Sequence, residues 1–215
     1  MAVTVTRLRF GGDNCYLLEQ NGNTILVDTG RASARARLSE ILELYRIKLA
    51  VLTHGHFDHI SNAAFLQREH GIKIAMHRAD ISLAADNRIR SIDARGLLGI
   101  LIKKRSLASI RKTRIDFFRP DILLQDGQEL NDFGVDAQVI ELARHTAGSI
   151  GILTEKACIV GDLLMNVGFA CSARIAEDFT ETRRSIERLK CTTADIFYPG
   201  HGEPILRQRL MKLKV

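Results

Sequence analysis

The chain has no tryptophan, only three prolines and only four cysteines in 215 residues. The cysteines, Cys15, Cys158, Cys171 and Cys191, form no Cys-x-x-Cys pair. That spacing excludes a zinc ribbon and a thioredoxin-type redox motif, and predicts free, buried thiols in a reducing compartment. Scarce proline argues against a hinge between domains. No internal repeat or low-complexity tract divides the sequence, so one domain spanning 1–215 is expected. No apolar run is long enough to cross a bilayer, and no membrane association is expected. The first ten residues alternate like a strand and lack the long apolar stretch of a signal peptide. A cytoplasmic protein is therefore expected.

What is present reads as alternating strands and helices. Strand-like runs at Tyr16–Glu19 and Thr24–Val27 flank Asn21-Gly22-Asn23, a hairpin signal. A helix is predicted over Ser33–Tyr45, with Ser33 as its cap and Leu38, Ile41, Leu42 and Tyr45 at helical spacing. The apolar run Ile47–Leu52 suits a buried strand and leads straight into a histidine-rich loop. A second helix is predicted over Asn62–His70, ending at Gly71, followed by a strand at Ile72–Met76. Further strands are expected at Val135–Leu142, Ile150–Leu153, Ala157–Val160 and Ile196–Tyr198, with a helix over Asp178–Lys190. Such an order in both halves suggests two sheets packed face to face with helices outside.

Charge is unevenly spread. The formal net charge is +6. Residues 80–119 hold Arg88, Arg90, Arg95, Lys103, Lys104, Arg105, Arg111, Lys112, Arg114 and Arg119, while the acids beyond Asp86 are Asp93 and Asp116. Leu97, Leu98, Leu101 and Ile102 recur at helical spacing, so the segment reads as a basic, largely helical insertion. It suits a substrate lid that takes a carboxylate or phosphate, a nucleic-acid surface or a dimer contact. A basic face with an apolar underside packed on the core is the plainer alternative. The sequence leaves the oligomeric state open.

Five of the seven histidines fall in three short motifs. His54-x-His56-x-Asp58-His59 places four donors within six residues, just after a predicted strand. Imidazole suits zinc and similar divalent ions, and carboxylate adds a hard oxygen ligand. Arg144-His145-Thr146-Ala147-Gly148-Ser149 and Pro199-Gly200-His201-Gly202 supply further histidines, and Asp162 follows the apolar pair Ile159-Val160. A carboxylate there is costly to bury without a cation or strong donors. His70 and His77 have no such partners and read as structural. Asp28, in Val27-Asp28-Thr29-Gly30, suits either orientation of a histidine or a plain turn.

From Asn14 to Glu203 these elements, in this order, resemble the metallo-β-lactamase superfamily. The resemblance implies a four-layer αββα sandwich with the basic helical insertion around 80–119. It places His54, His56 and His145 on one metal and Asp58, His59 and His201 on a second, with Asp162 bridging. It implies two divalent ions, zinc by default with iron or manganese as alternatives, and a metal-bridging hydroxide as nucleophile. Asp58 is the expected catalytic residue, orienting that hydroxide or accepting its proton.

The expected substrates are esters, thioesters or lactones of small molecules, and a basic lid would favour anionic ones. The metal motifs are similar to those of glyoxalase II, whose helical C-terminal domain normally follows this point; only Glu203 to Val215 follow here. Two alternatives stay open: a phosphodiesterase or ribonuclease acting on nucleic acid, and a non-hydrolytic protein of the same fold, either a mononuclear iron dioxygenase or a regulatory binder.

Overall fold

The structure, a computed structural model, describes residues 1–213. Its first half alternates strands and helices. β1 (Thr4–Phe10), β2 (Asp13–Gln20) and β3 (Asn23–Val27) form an antiparallel meander. Asn21 and Gly22 both take positive φ at the predicted hairpin turn, as a tight two-residue connection requires. The expected Ser33 cap is not made. The chain enters α1 (Arg35–Leu44) through a 3-10 turn at Ala32–Ala34, and Ala34 occupies the cap position with no side-chain bond. β4 (Ile47–Leu52), α2 (Phe57–Ile60), α3 (Ala63–His70) and β5 (Lys73–His77) follow. Gly71 closes α3 in the left-handed conformation.

The insertion comprises α4 (Ile81–Ala85), the two-residue strand β6 (Asp93–Ala94) and α5 (Gly96–Lys112), before β7 (Ile122–Leu124) rejoins the first sheet. The second half supplies β8 (Gln138–Glu141), β9 (Ile150–Leu153), β10 (Ala157–Val167), β11 (Phe169–Ser172), β12 (Ile175–Ala176), α6 (Phe179–Lys190), β13 (Ile196–Gly202), β14 (Ile205–Leu206) and α7 (Arg207–Met211). One six-stranded sheet runs β1-β2-β3-β4-β5-β7. The other runs β14-β13-β10-β9-β8, with β11 paired to β10.

Period-two alternation along the strands builds three apolar layers. Leu17, Leu26, Ala50, Leu52 and Ile74 face Leu38 of α1 and Leu66 of α3. Their strand neighbours Tyr16, Leu18, Ile25, Val27 and Val51 turn the other way and meet Val139, Ile150, Ile152 and Ile159 between the sheets. Cys158, Val160 and Phe197 pack under Ile186 and Leu189 of α6 and Leu210 of α7. These layers make the four-layer αββα sandwich that the sequence predicts.

Three further expectations need correction. β10 runs on through Asp162 instead of ending near Val160, with a register shift against β13 at Gly161. The thiols are all free, but only Cys15 and Cys158 are buried, and Cys191 is exposed. Of the four apolar residues that mark α5 in the sequence, only Ile102 lies on its underside. Leu97, Leu98 and Leu101 face solvent, and the inner face is Gly99, half-buried Ile102 and Ser106, and Ile110.

Candidate metal centre

The ligand-type side chains come from strand ends and loops at one end of the sandwich. β4 ends at Leu52, and the next seven residues turn into α2, carrying His54, His56, Asp58 and His59. Asp162 projects from β10 and His201 from β13, which pair in parallel. His145 comes from the loop before β9.

All seven residues meet. Nε2 of His54 and Nε2 of His145 each lie 3.0 Å from Nδ1 of His56. Asp58, His59 and His201 form a second cluster, with His201 Nε2 3.6 Å from Asp58 Oδ2. Asp162 reaches both clusters. Its Oδ1 is 3.5 Å from His59 Nε2, and its Oδ2 is 3.3 Å from His201 Nε2 and 3.7 Å from His145 Nε2. Within each of three trios (His54, His56, His145; His54, His59, Asp162; Asp58, His59, His201) the donor atoms lie within 4.8 Å of one another.

The far sides of these rings are held by the scaffold, which fixes the nitrogen each presents inward. His59 Nδ1 lies 2.8 Å from Asp28 Oδ2 and donates to it. His145 Nδ1 donates to the Ile175 carbonyl at 2.9 Å, and His201 Nδ1 to that of Gly12 at 2.8 Å. Asp28, at φ +61°, also accepts from the backbone N–H and hydroxyl of Thr53 at 2.8 Å. Of the two roles open to it, Asp28 thus occupies the one that orients a histidine. His70 is exposed at the end of α3 and His77 lies at the end of β5, both away from the cluster.

Electrostatics divide the cluster. Burial, reinforced by neighbouring imidazoles, pushes His54 well below the usual histidine range and His56 down to about 4. Both are therefore neutral, with lone pairs free. Burial alone would lower His201 too, but Asp162 and Asp58 raise it to about 10. His59 is likewise raised, against burial, by Asp28 and Asp162. Burial would raise both carboxyls, yet His201 and His59 hold Asp162 well below its ordinary value, and the same pair lowers Asp58. Two buried atoms at the centre, His59 Nε2 and Asp162 Oδ1, have no hydrogen-bond partner. Orphaned polar atoms at this depth are rare and costly, and here they face each other among lone-pair donors.

Sequence reasoning missed the residues that join the loops. Asp80 is fully buried. It accepts from the N–H groups of Gly55 and Gly148 at 2.8 Å, from the Thr146 hydroxyl at 2.6 Å and from Arg90 Nη1 at 2.8 Å. It thereby fastens the His54–His59 loop to the His145 loop. A Cβ at Gly148 would sit 2.7 Å from the Asp80 carboxyl carbon, so only glycine fits there. Asn87 accepts from Phe57 N–H and donates to the Gly55 carbonyl, both at 2.7 Å. The signal for Asp80 is slight: an acid just beyond a strand-like run, the placement that Asp28 also has. Gly200 is constrained as well, since a Cβ there would collide with Asp162 Oδ1.

Above the cluster lies a small pocket of about 50 Å³. His56, Asp58, His145, Asp162 and His201 form its floor, while Phe57, Ile92, Met165 and Ile175 with Ile102, Ser106 and Ile110 of α5 wall it in.

Comparison with known proteins agrees with this architecture. The chain is 26% identical over 196 residues to a hydroxyacylglutathione hydrolase, GloC, of Haemophilus influenzae, covering 88% of this chain and 85% of that one. It is 23% identical to the acyl-coenzyme A thioesterase MBLAC2 of Bos taurus, covering 93% and 76% respectively. A metallo-beta-lactamase family protein of Thermus thermophilus, TTHA1429, superposes with a TM-score of 0.71 at 23% identity, covering 98% of this chain and 77% of that one. The family model described as the metallo-beta-lactamase superfamily matches residues 8–201, and the chain belongs to that superfamily.

Proposed function

We propose that the protein is a metal-dependent hydrolase holding two divalent ions, zinc by default, and acting on an ester, thioester or lactone of a small molecule. The observation that carries this is the pair of donor clusters sharing Asp162, with His59 Nε2 and Asp162 Oδ1 left unpartnered between them. Neutral His54 and His56, ionised carboxylates, and His59 and His201 imidazoles that would release their protons to a bound cation are the donor types that borderline divalent ions take. His54, His56 and His145 would hold one ion, Asp58, His59 and His201 the other, and Asp162 both. Thioester hydrolysis is favoured among the acyl substrates because both curated relatives above carry names for thioester cleavage.

When bound, such ions lower the pKa of water and stabilise negative charge developing on an acyl oxygen. The chain's own residues supply the rest. Asp58 lines the pocket and is kept ionised by His59 and His201 against the effect of burial, with Arg31 Nη2 3.6 Å from its Oδ2. It takes the proton of the attacking water and returns it to the departing thiol or alcohol. As the new C–O bond forms and the C–S or C–O bond breaks, one proton thus passes from water to leaving group. Phe57, Ile92, Ile102 and Ile110 exclude bulk water, which strengthens each of these charge interactions.

Assay of the purified protein against S-acyl N-acetylcysteamine thioesters, p-nitrophenyl esters and a homoserine lactone tests the proposal. Turnover that chelation abolishes and added zinc restores supports it. A protein loaded with metal that cleaves none of the three classes contradicts it.

A further inference from the structure

Arg174 is a half-buried cation whose inner nitrogen has no partner. Its Nε is shielded from solvent and bonded to nothing. Among the described residues its guanidinium pairs with no carboxylate, and its aromatic neighbour, Phe169, lies 6.0 Å away at the ring centroid. Other cations bordering the site are satisfied: Arg31 binds Asp13, and Arg90 binds Asp80 and Glu177. Shielding a guanidinium donor from water without replacing its hydrogen bonds is costly. Such a group is expected to have a partner that the protein does not itself contain.

The backbone around Arg174 is firmly held. Its carbonyl accepts from Arg95 N–H at 2.9 Å, and the next residue, Ile175, pairs with Ala94 in the small β6–β12 sheet. The first turn of α5 comes so close that a Cβ at Gly99 would stand 2.5 Å from the Arg174 carbonyl oxygen. The Ile175 carbonyl in turn accepts from His145. The segment therefore ties the floor of the pocket to its lid, and Arg174 lines that pocket from a fixed base. Between floor and lid the neighbouring walls are apolar: Ile92, Ile102, Ile110 and Met165.

We infer that Arg174 is an anion-binding residue, and that the substrate is an acyl ester or thioester carrying a carboxylate or phosphate beyond an apolar stretch. A planar guanidinium offers two parallel N–H bonds to either group, which a lone ammonium does not. This inference rests on the hydrolase reading for its substrate class but not for the anion site. The charge sits on either the acyl or the leaving side of the scissile bond, and matched substrates separate these cases.

Two measurements test it. Hexanesulfonate, an apolar chain with one anionic head, is titrated calorimetrically into the metal-loaded wild type and Arg174→Gln, with their folding compared by thermal melting. Binding about ten- to a hundredfold weaker in the variant is expected, the range for loss of charge-assisted hydrogen bonds. Equal binding to both proteins, or none to the wild type, overturns the inference. This holds whether or not any thioester is cleaved, so failure of the hydrolase proposal is seen separately.

The second measurement is the ratio of kcat/KM for an anionic over a neutral thioester. Butyryl N-acetylcysteamine is the neutral reference. Succinyl N-acetylcysteamine places the charge on the acyl side, and S-butyryl 3-mercaptopropionate places it on the leaving side. A wild-type ratio of about ten or more in one arm, falling toward one in Arg174→Gln, is expected. Ratios near one in both arms, or unchanged by the substitution, overturn the inference. If Arg174→Gln does not fold, Arg174→Lys replaces it in both measurements; loss of the fork is expected to weaken sulfonate binding, and binding as tight as wild type counts against the guanidinium.

Discussion

The loop from Thr53 to His59 and the helix α5 face each other across one pocket and are held in opposite ways. Nearly every polar group of the loop is fastened. Thr53 is bound by Asp28, Gly55 by Asp80 and Asn87, Phe57 by Asn87, and the His59 carbonyl by Thr29 N–H at 2.7 Å. α5 has one face against the pocket and another, carrying Leu97, Leu98, Ile100 and Leu101, open to solvent. The ion pairs of the insertion belong to Arg88 and Arg90, which precede the helix, and to Asp116, which follows it. A floor fastened residue by residue, under a wall held at its first turn by the Arg174 segment, is the arrangement expected when chemistry is fixed and substrate choice is set separately.

That contrast breaks most readily at Asp58. Asp58→Asn keeps the shape but removes the proposed proton acceptor, and kcat should fall by about 10² to 10⁴ at controlled metal content. A variant within tenfold of wild type in steady-state assays would remove Asp58 from the mechanism. Next comes Asp80→Ala, which strands the N–H groups of Gly55 and Gly148 and the Arg90 guanidinium. Each buried donor left unpaired costs about 1–3 kcal/mol, so a combined loss of about 3 kcal/mol or more is expected in urea unfolding. Stability equal to wild type would mean that the two ligand loops do not depend on Asp80.

Asp28→Asn is the finer probe. The amide no longer holds His59 as a carboxylate does, and metal affinity should drop about 10- to 100-fold in competition with a chelator. The same affinity in both proteins would return Asp28 to a turn role. The smallest effect belongs to the lid. Leu97→Gln and Leu101→Gln on its outer face should shift stability by no more than about 0.5 kcal/mol. Ile110→Ala on its inner face should cost about 2 kcal/mol. Equal costs for the two faces would show that the outer one is also covered in solution.

The same division explains what the sequence could reveal. The layered fold follows from short apolar runs and well-placed turn signals, such as Asn21-Gly22 and Gly71, whose conformations are dictated locally. The seven donor residues stand out because histidine is rare and each lies just beyond a strand-like run. Asp80 and Asn87 are no less buried, but their partners lie in other loops, at Gly55, Phe57 and Gly148, and no local pattern marks such long-range pairing. The first turns of α5 present their leucines outward, against their sequence pattern, for a similar reason. Leu97, Leu98 and Leu101 share a stripe that ordinarily marks a buried face. Gly99 takes the inside because the Arg174 carbonyl leaves no room for a Cβ there, and Ile102, Ser106 and Ile110 continue that face toward the pocket. Arg174 has no motif at all, and its interest lies in the partner it lacks.

The central claim is that two donor clusters share Asp162 and hold two ions. Metal content by mass spectrometry on freshly purified protein tests it most directly, with His201→Ala alongside. About two ions per chain, falling to about one in the variant, is the predicted result. One ion per chain in both proteins, or none after reconstitution with zinc, iron or manganese, would contradict it.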